Sequence, residues 1–344
     1  MSETRLTRRH FNASLAGVAV FGALRPRRAR TSLEPFLRTA RELGVRGLVV
    51  LRGGETLVSD GDVHEPMRIA SIRKSLLSAL FGMAVAEGRV KLDAPLSDLG
   101  IDDYTPLNET EKRATVRDLL MARSGVYLPT AAETEAMRAA RPARGSHAPG
   151  THWYYNNWDF NVLGEIYQRL TGEGVFTAIE HRLARPLGWR DFDALRDTRW
   201  SYDSSAPRFP AYNVLMSAHD MALFGQLYLQ RGRWKGRQLV PESWIAESTR
   251  SYSTTGRDGA HSGYGYMWWV VDGDPAIDRR GLPPGAYSAS GNGGRYITVF
   301  PEQDIVVAVQ PNERRGEPPV TLYARTNAYS DLLRDLLGAL TVNR

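Results

Sequence analysis

The sequence contains no cysteine. Disulfides, thiolate nucleophiles and cysteine-ligated zinc or iron–sulfur centres are excluded with it. No apolar run reaches the ~18 residues of a membrane-spanning helix. Internal repeats and low-complexity tracts are absent. The histidines at 147, 152, 181 and 219 lack a metal-ligand spacing such as H-E-x-x-H and read as surface or packing residues. A surplus of positive charge is lacking too, although the formal net charge is +6. Of 44 Lys and Arg and 38 Asp and Glu, residues 1–31 hold seven arginines and one acid, Glu3, so the remainder carries 37 of each sign. A neutral body offers no electrostatic footprint for nucleic acid. What is present, 344 residues with 42% hydrophobic and 24% charged, is ordinary for a folded chain with a large core.

Residues 1–31 have the architecture of an export signal. Thr7-Arg8-Arg9-His10-Phe11 precedes a short apolar stretch over 15–24, a basic segment followed by a hydrophobic one of signal-peptide length. The paired arginines resemble a twin-arginine signal. They imply passage through that export machinery and a periplasmic or secreted protein. Without cysteine there is no lipoprotein anchor.

Beyond it, periodicity predicts a helix over 36–43, a hairpin of strands over 45–51 and 55–59 around Gly53-Gly54, and a helix over 71–87 stopped by Gly88. Leu76, Leu77, Leu80, Phe81 and Ala84 give that last helix one buried face. A capped helix follows over 115–122, with Asp118 three residues after Thr115. A Pro/Gly/Ala loop spans 139–150, and further helices span 161–170, 176–185, 218–231 and 242–248. From 262 the pattern turns to strands, over 264–271, 287–290, 296–300 and 305–310. The span 272–284 reads as a surface loop, and a helix over 322–340 closes the chain. Sheet at both ends with helix between suggests one α+β domain over 32–340. Its sheet lobe comes from about 35–70 and 210–340, with a mainly helical lobe inserted at about 71–209.

Ser71-Ile72-Arg73-Lys74 sets a serine and a lysine at i and i+3. On a helix start both face one way, and a lysine with a lowered pKa can take the proton of a serine hydroxyl. Tyr155-x-Asn157 adds a phenol able to relay a proton and an amide able to orient the lysine. Together these two elements resemble the serine hydrolases of the class C β-lactamase and penicillin-binding protein superfamily. Three further stretches support the likeness: Thr115 to Leu120, Met216 to Ala222, and Gly263 to Trp269. The resemblance implies a β-lactamase-like fold with an antiparallel sheet flanked by helices. It implies Ser71 as nucleophile, Lys74 and Tyr155 as base and acid, Asn157 as their positioner, and no metal or organic cofactor.

The third element departs from that pattern. No Lys-Thr-Gly exists, and His261-Ser262-Gly263 lies ahead of its expected place. Ser288 to Tyr296 resembles instead the Ala-x-Gly-x-x-Gly-Gln stretch of the 6-aminohexanoate oligomer hydrolase branch, with Arg295 where that pattern has glutamine. Ser290 and Gly291 are then the residues expected to bind substrate through backbone N–H groups. Arg295 either faces the cleft or is a surface or salt-bridging arginine. Without the cation of Lys-Thr-Gly, a short ester or linear amide is the expected small-molecule substrate. A β-lactamase or D-alanyl-D-alanine peptidase, and a catalytically silent binding protein, are the alternatives.

Overall fold

The computed structural model describes residues 27–201, 208–257, 259–273, 281–312 and 327–341. Most of the export-signal segment, residues 1–26, lies outside them, as do 322–326 of the expected closing helix and the centre of the 272–284 loop.

The chain opens with α1 (Arg27–Glu42) and the hairpin of β1 (Val45–Arg52) and β2 (Glu55–Gly61). Five of the β1 residues are buried because the strand is interior to an eight-stranded antiparallel sheet. Its other strands are β3 (Ser253–Thr254), β4 (Gly263–Tyr264), β5 (Trp269–Val270), β6 (Tyr287–Gly291), β7 (Arg295–Phe300) and β8 (Ile305–Pro311). The spatial order is β2-β1-β8-β7-β6-β5-β4-β3, so the N-terminal hairpin pairs directly with the last strand, Val49 opposite Ala308. Every residue of β8 is buried, as its apolar run Ile305-Val306-Val307-Ala308-Val309 requires of a central strand covered on both faces.

Strand alternation sorts the core into two layers. Leu48, Val50, Val307 and Val309 face Phe36 and Leu37 of α1 and Leu332, Leu333 and Leu336 of α5 (Ala328–Thr341). Val49, Leu51, Val306 and Ala308 face the other way, onto a larger core that includes α2 (Arg73–Ala86), α3 (Asn157–Thr171) and α4 (Ala218–Leu229). At Gly225 of α4 an added Cβ would lie 2.5 Å from Val306 Cγ1, so helix and sheet touch too closely for any side chain there.

Several expectations are corrected. The 71–87 helix has no solvent face: residues 73 through 84 are all buried, and the small Ser75, Ser78, Ala79 and Gly82 let neighbours close on its second side. Ser71 belongs to a short 3-10 turn, Ala70–Ile72, ahead of α2. The strand expected over 264–271 is two short strands joined by a turn in which the Gly265 N–H donates to Trp268 O at 2.8 Å. The helix expected over 176–185 changes winding at Ile179–Ala184. A small sheet of Met67–Arg68, Thr198–Ser201 and Ala211–Met216 carried no period clear enough to predict it. The capping box on Val116–Leu120 forms as expected from Thr115 and Asp118.

Candidate active site

Ala70 precedes the candidate nucleophile with φ +48°, a left-handed conformation costly for a residue with a Cβ. That bend turns Ser71 out of the small sheet and into the 3-10 turn that feeds α2. The first N–H groups of such a turn have no preceding carbonyl to bond. One turn on, Lys74 is 2% exposed, and its Nζ lies 2.9 Å from Ser71 Oγ, 2.6 Å from Tyr155 Oη and 2.7 Å from Asn157 Oδ1. The Tyr155 and Phe160 rings flank the same nitrogen at 4.3 and 4.5 Å from their centroids.

Asn157 Oδ1 can only accept, so one lysine N–H is always committed to it. In the neutral amine the lone pair is then left to face the Ser71 or Tyr155 hydroxyl. Burial holds the Lys74 pKa well below the ordinary lysine value, and the neighbouring Arg73 cation pushes it the same way. Burial raises the Tyr155 pKa, against opposing pulls from the Ser71 hydrogen bond and from Arg73 and Arg257. Both shifts favour the neutral forms, and a neutral amine beside a neutral phenol is an arrangement in which a lysine can take a serine proton and a phenol can relay it.

The supporting residues were not legible as such. Asn156, not Asn157, caps α3, accepting from the Trp158 N–H at 3.1 Å. Asn157 Nδ2 donates to Ala132 O at 2.7 Å, and Asn161 donates to Thr130 Oγ1 and Ala131 O, so two amides of α3 hold the 130–132 loop over the site. Fully buried Asp159 accepts from Ser124 Oγ at 2.6 Å and from Asn156 at 2.9 Å, and burial raises its pKa well above the usual carboxylate range. Trp269 stacks on Tyr155 with ring centroids 5.2 Å apart.

Ser290 and Gly291 line the same cleft of about 540 Å³ as Ser71, Tyr155 and Asn157. The Val271 N–H donates to Ala286 O, which sets the Ala286 carbonyl and, by strand alternation, the backbone groups of 288 and 290 toward β5. The β5–β6 pairing ends at Trp269 opposite Ser288, so Ser290 presents its N–H to the open cleft edge. The same alternation turns the Gly291 N–H toward β7. Gly291 serves by absence of bulk: a Cβ there would sit 2.4 Å from Ile69 O, in the segment that carries Ser71.

Arg295 does not line this cleft. It is wholly buried and holds the Asn292 carbonyl across the β6–β7 turn. His261 is in the cleft wall, edge-on to Trp269 at 4.9 Å, with its pKa brought down to about 3 by burial and by Arg257. It is a neutral ring at physiological pH, not a replacement cation.

The beta-lactamase family model matches residues 32–330. The chain belongs to the beta-lactamase family. It is 23% identical over 311 residues to the 6-aminohexanoate-dimer hydrolase of Paenarthrobacter ureafaciens, covering 80% of this chain and 75% of that one. Against esterase EstB of Burkholderia gladioli the identity is 28% over 190 residues, 45% of this chain and 48% of the relative. Among solved structures, the octameric penicillin-binding protein homologue of Pyrococcus abyssi superposes with a TM-score of 0.63 at 21% identity, over 90% of this chain and 77% of that one. These likenesses establish the β-lactamase-like α+β fold and a hydrolase family of serine esterases, amidases and peptidases.

Proposed function

We propose that this family member is an exported hydrolase that cleaves an ester or linear amide through an acyl-enzyme on Ser71. The observation that carries the reading is the buried Lys74 Nζ within hydrogen-bond reach of Ser71, Tyr155 and Asn157 at once. Lys74 takes the Oγ proton as Oγ bonds to the substrate carbonyl carbon. The N–H groups of Ser71 and Ser290 stabilise the oxyanion. As the carbon–leaving group bond breaks, Tyr155 hands the proton to the departing oxygen or nitrogen. Water then attacks the acyl carbon, losing its proton to the same pair, and Ser71 is regenerated with release of the acid.

The test is labelling by a fluorophosphonate together with turnover of p-nitrophenyl esters, a chromogenic cephalosporin and 6-aminohexanoate dimer. Wild type should label and hydrolyse the ester or linear amide far faster than the cephalosporin. Ser71→Ala should do neither while unfolding normally. An unlabelled wild type points to a silent binding protein. A cephalosporin kcat/KM within the ~10⁴–10⁸ M⁻¹s⁻¹ of working enzymes, with esters far below, points to a β-lactamase.

Export rests on Arg8-Arg9 and the apolar stretch after them. The Arg8→Lys/Arg9→Lys double substitution should leave the protein in the cytoplasmic fraction of a host with twin-arginine export, where the native chain reaches the periplasm.

A further inference from the structure

The cleft is lined by three arginines, Arg68, Arg73 and Arg257, and among the described lining residues by no aspartate or glutamate. Several guanidinium groups elsewhere in the molecule are matched with acids: Arg144 with Glu111, Arg182 with Glu87 and Glu173, Arg196 with Asp197. The three in the cleft have no carboxylate among the described residues. Arg73 is 3% exposed, and its guanidinium lies over the Tyr212 ring at 4.4 Å, 3.3 Å from Asn161 Oδ1, with Nη1 buried and without a hydrogen-bond partner. A buried cation without a counter-ion is costly to keep, and this one stands beside the reacting groups.

Arg257 is exposed, and its guanidinium lies 4.9 Å over the Trp269 ring. Trp269 in turn stacks on Tyr155, so the cation is held one ring away from the reacting phenol with its N–H fork open to solvent. An exposed arginine can grip a carboxylate with two parallel hydrogen bonds. Low-dielectric walls of aromatic rings focus the field of the buried Arg73 into the same space.

We propose that the cleft selects a substrate bearing a carboxylate, which Arg257 grips at the mouth while Arg68 and Arg73 hold the cleft at positive potential. The cation missing from the β6 strand is thus supplied from other elements. This inference rests on the hydrolase reading above and deepens it to a substrate class.

The experiment compares mono-4-nitrophenyl adipate with its methyl ester, which share the scissile bond and differ in one negative charge. Wild type should show a kcat/KM about tenfold or more higher on the anionic ester at low salt, expressed mainly in KM. That excess should shrink as salt is raised, because an exposed pair is screened. Arg257→Ala should cut the anionic-to-neutral ratio about tenfold, and Arg257→Lys should keep part of it. A wild type that treats both esters alike or favours the neutral one, or an Arg257→Ala that lowers both equally, overturns the carboxylate assignment alone. Hydrolysis of neither ester together with no fluorophosphonate labelling, or hydrolysis unchanged in Ser71→Ala, removes the hydrolase reading and this inference with it.

Discussion

At the scale of single residues, the proposed mechanism turns on the protonation state of Lys74. Acylation needs the neutral amine, so kcat/KM should fall as pH drops through the lysine pKa, which burial and Arg73 hold below its usual value. Arg73→Met takes away the neighbouring cation, so the Lys74 pKa should rise and the acid limb should move to higher pH. Replacing a buried charge by an apolar group of similar volume is commonly tolerated by the fold. Lys74→Arg keeps the charge but cannot release its proton, and single-turnover acylation should fall by at least ~10²-fold, the lower range for a general base. A limb unmoved in Arg73→Met, or near-native acylation in Lys74→Arg, would remove Lys74 from the base role. The cluster of Ser71, Lys74, Tyr155 and Asn157 was legible because residue type and spacing mark it in the sequence. Arg73 could have been noticed as a cation beside the lysine. Trp269 was legible only as the end of the Gly263 to Trp269 stretch, and Arg257 carries no local signal: the fold sets Trp269 on Tyr155 and Arg257 over Trp269. Arg295 illustrates the converse, since a charged letter beside a site motif says nothing of where its side chain points.

At the scale of elements, the approach of β6 to the Ser71 turn is set by one missing side chain. Gly291→Ala would drive a Cβ against Ile69 O, a backbone atom that cannot rotate away. The expected cost is about 1–3 kcal/mol of stability, in the range for overpacking, together with at least a tenfold loss of kcat as the strand backs away from the nucleophile. Gly225→Ala provides the comparison, because its Cβ would meet Val306 and Ile297 across the α4–sheet contact, remote from the cleft. It should lose comparable stability while kcat stays within about twofold. Thermal unfolding and steady-state kinetics on both variants check the pair, and equal loss of kcat in the two would show that Gly291 has no special part. Elements with a strong period or a capping pair, β1, β8 and Val116–Leu120, were legible from sequence. The 264–271 strand was not, because the break at Gly265 comes from a close approach to Ser248 O, which lies far away in sequence. The all-round burial of α2 was hidden for a related reason: small residues on its second face give no apolar stripe, and the Met267 carbonyl over Ser75 and the Trp244 ring against Gly82 come from distant parts of the chain.

At the scale of the whole molecule, the two lobes are not two cores. One continuous cluster runs from Val49, Ile297 and Val306 of the sheet through Leu76 and Leu80 of α2 to Trp158, Leu163 and Ile166 of α3. The sheet itself cannot close without both chain ends, since β1 from the N-terminal part pairs with β8 from the C-terminal part. The candidate site straddles this union, with Ser71 and Lys74 leading into α2, Tyr155 and Asn157 at the start of α3, and Ser290 on the sheet. A chain of this size often unfolds through intermediates, but a shared core ties the loss of one lobe to the loss of the other. The expected outcome is a single cooperative transition. Tryptophan fluorescence, whose eight reporters include Trp158 in the helical lobe and Trp269 in the sheet, should coincide with far-UV circular dichroism and with loss of fluorophosphonate labelling as denaturant is raised. Labelling that disappears well before the circular dichroism changes would mean that the helical lobe opens alone. The cleft would then be a boundary between independent units, and not a seam within one.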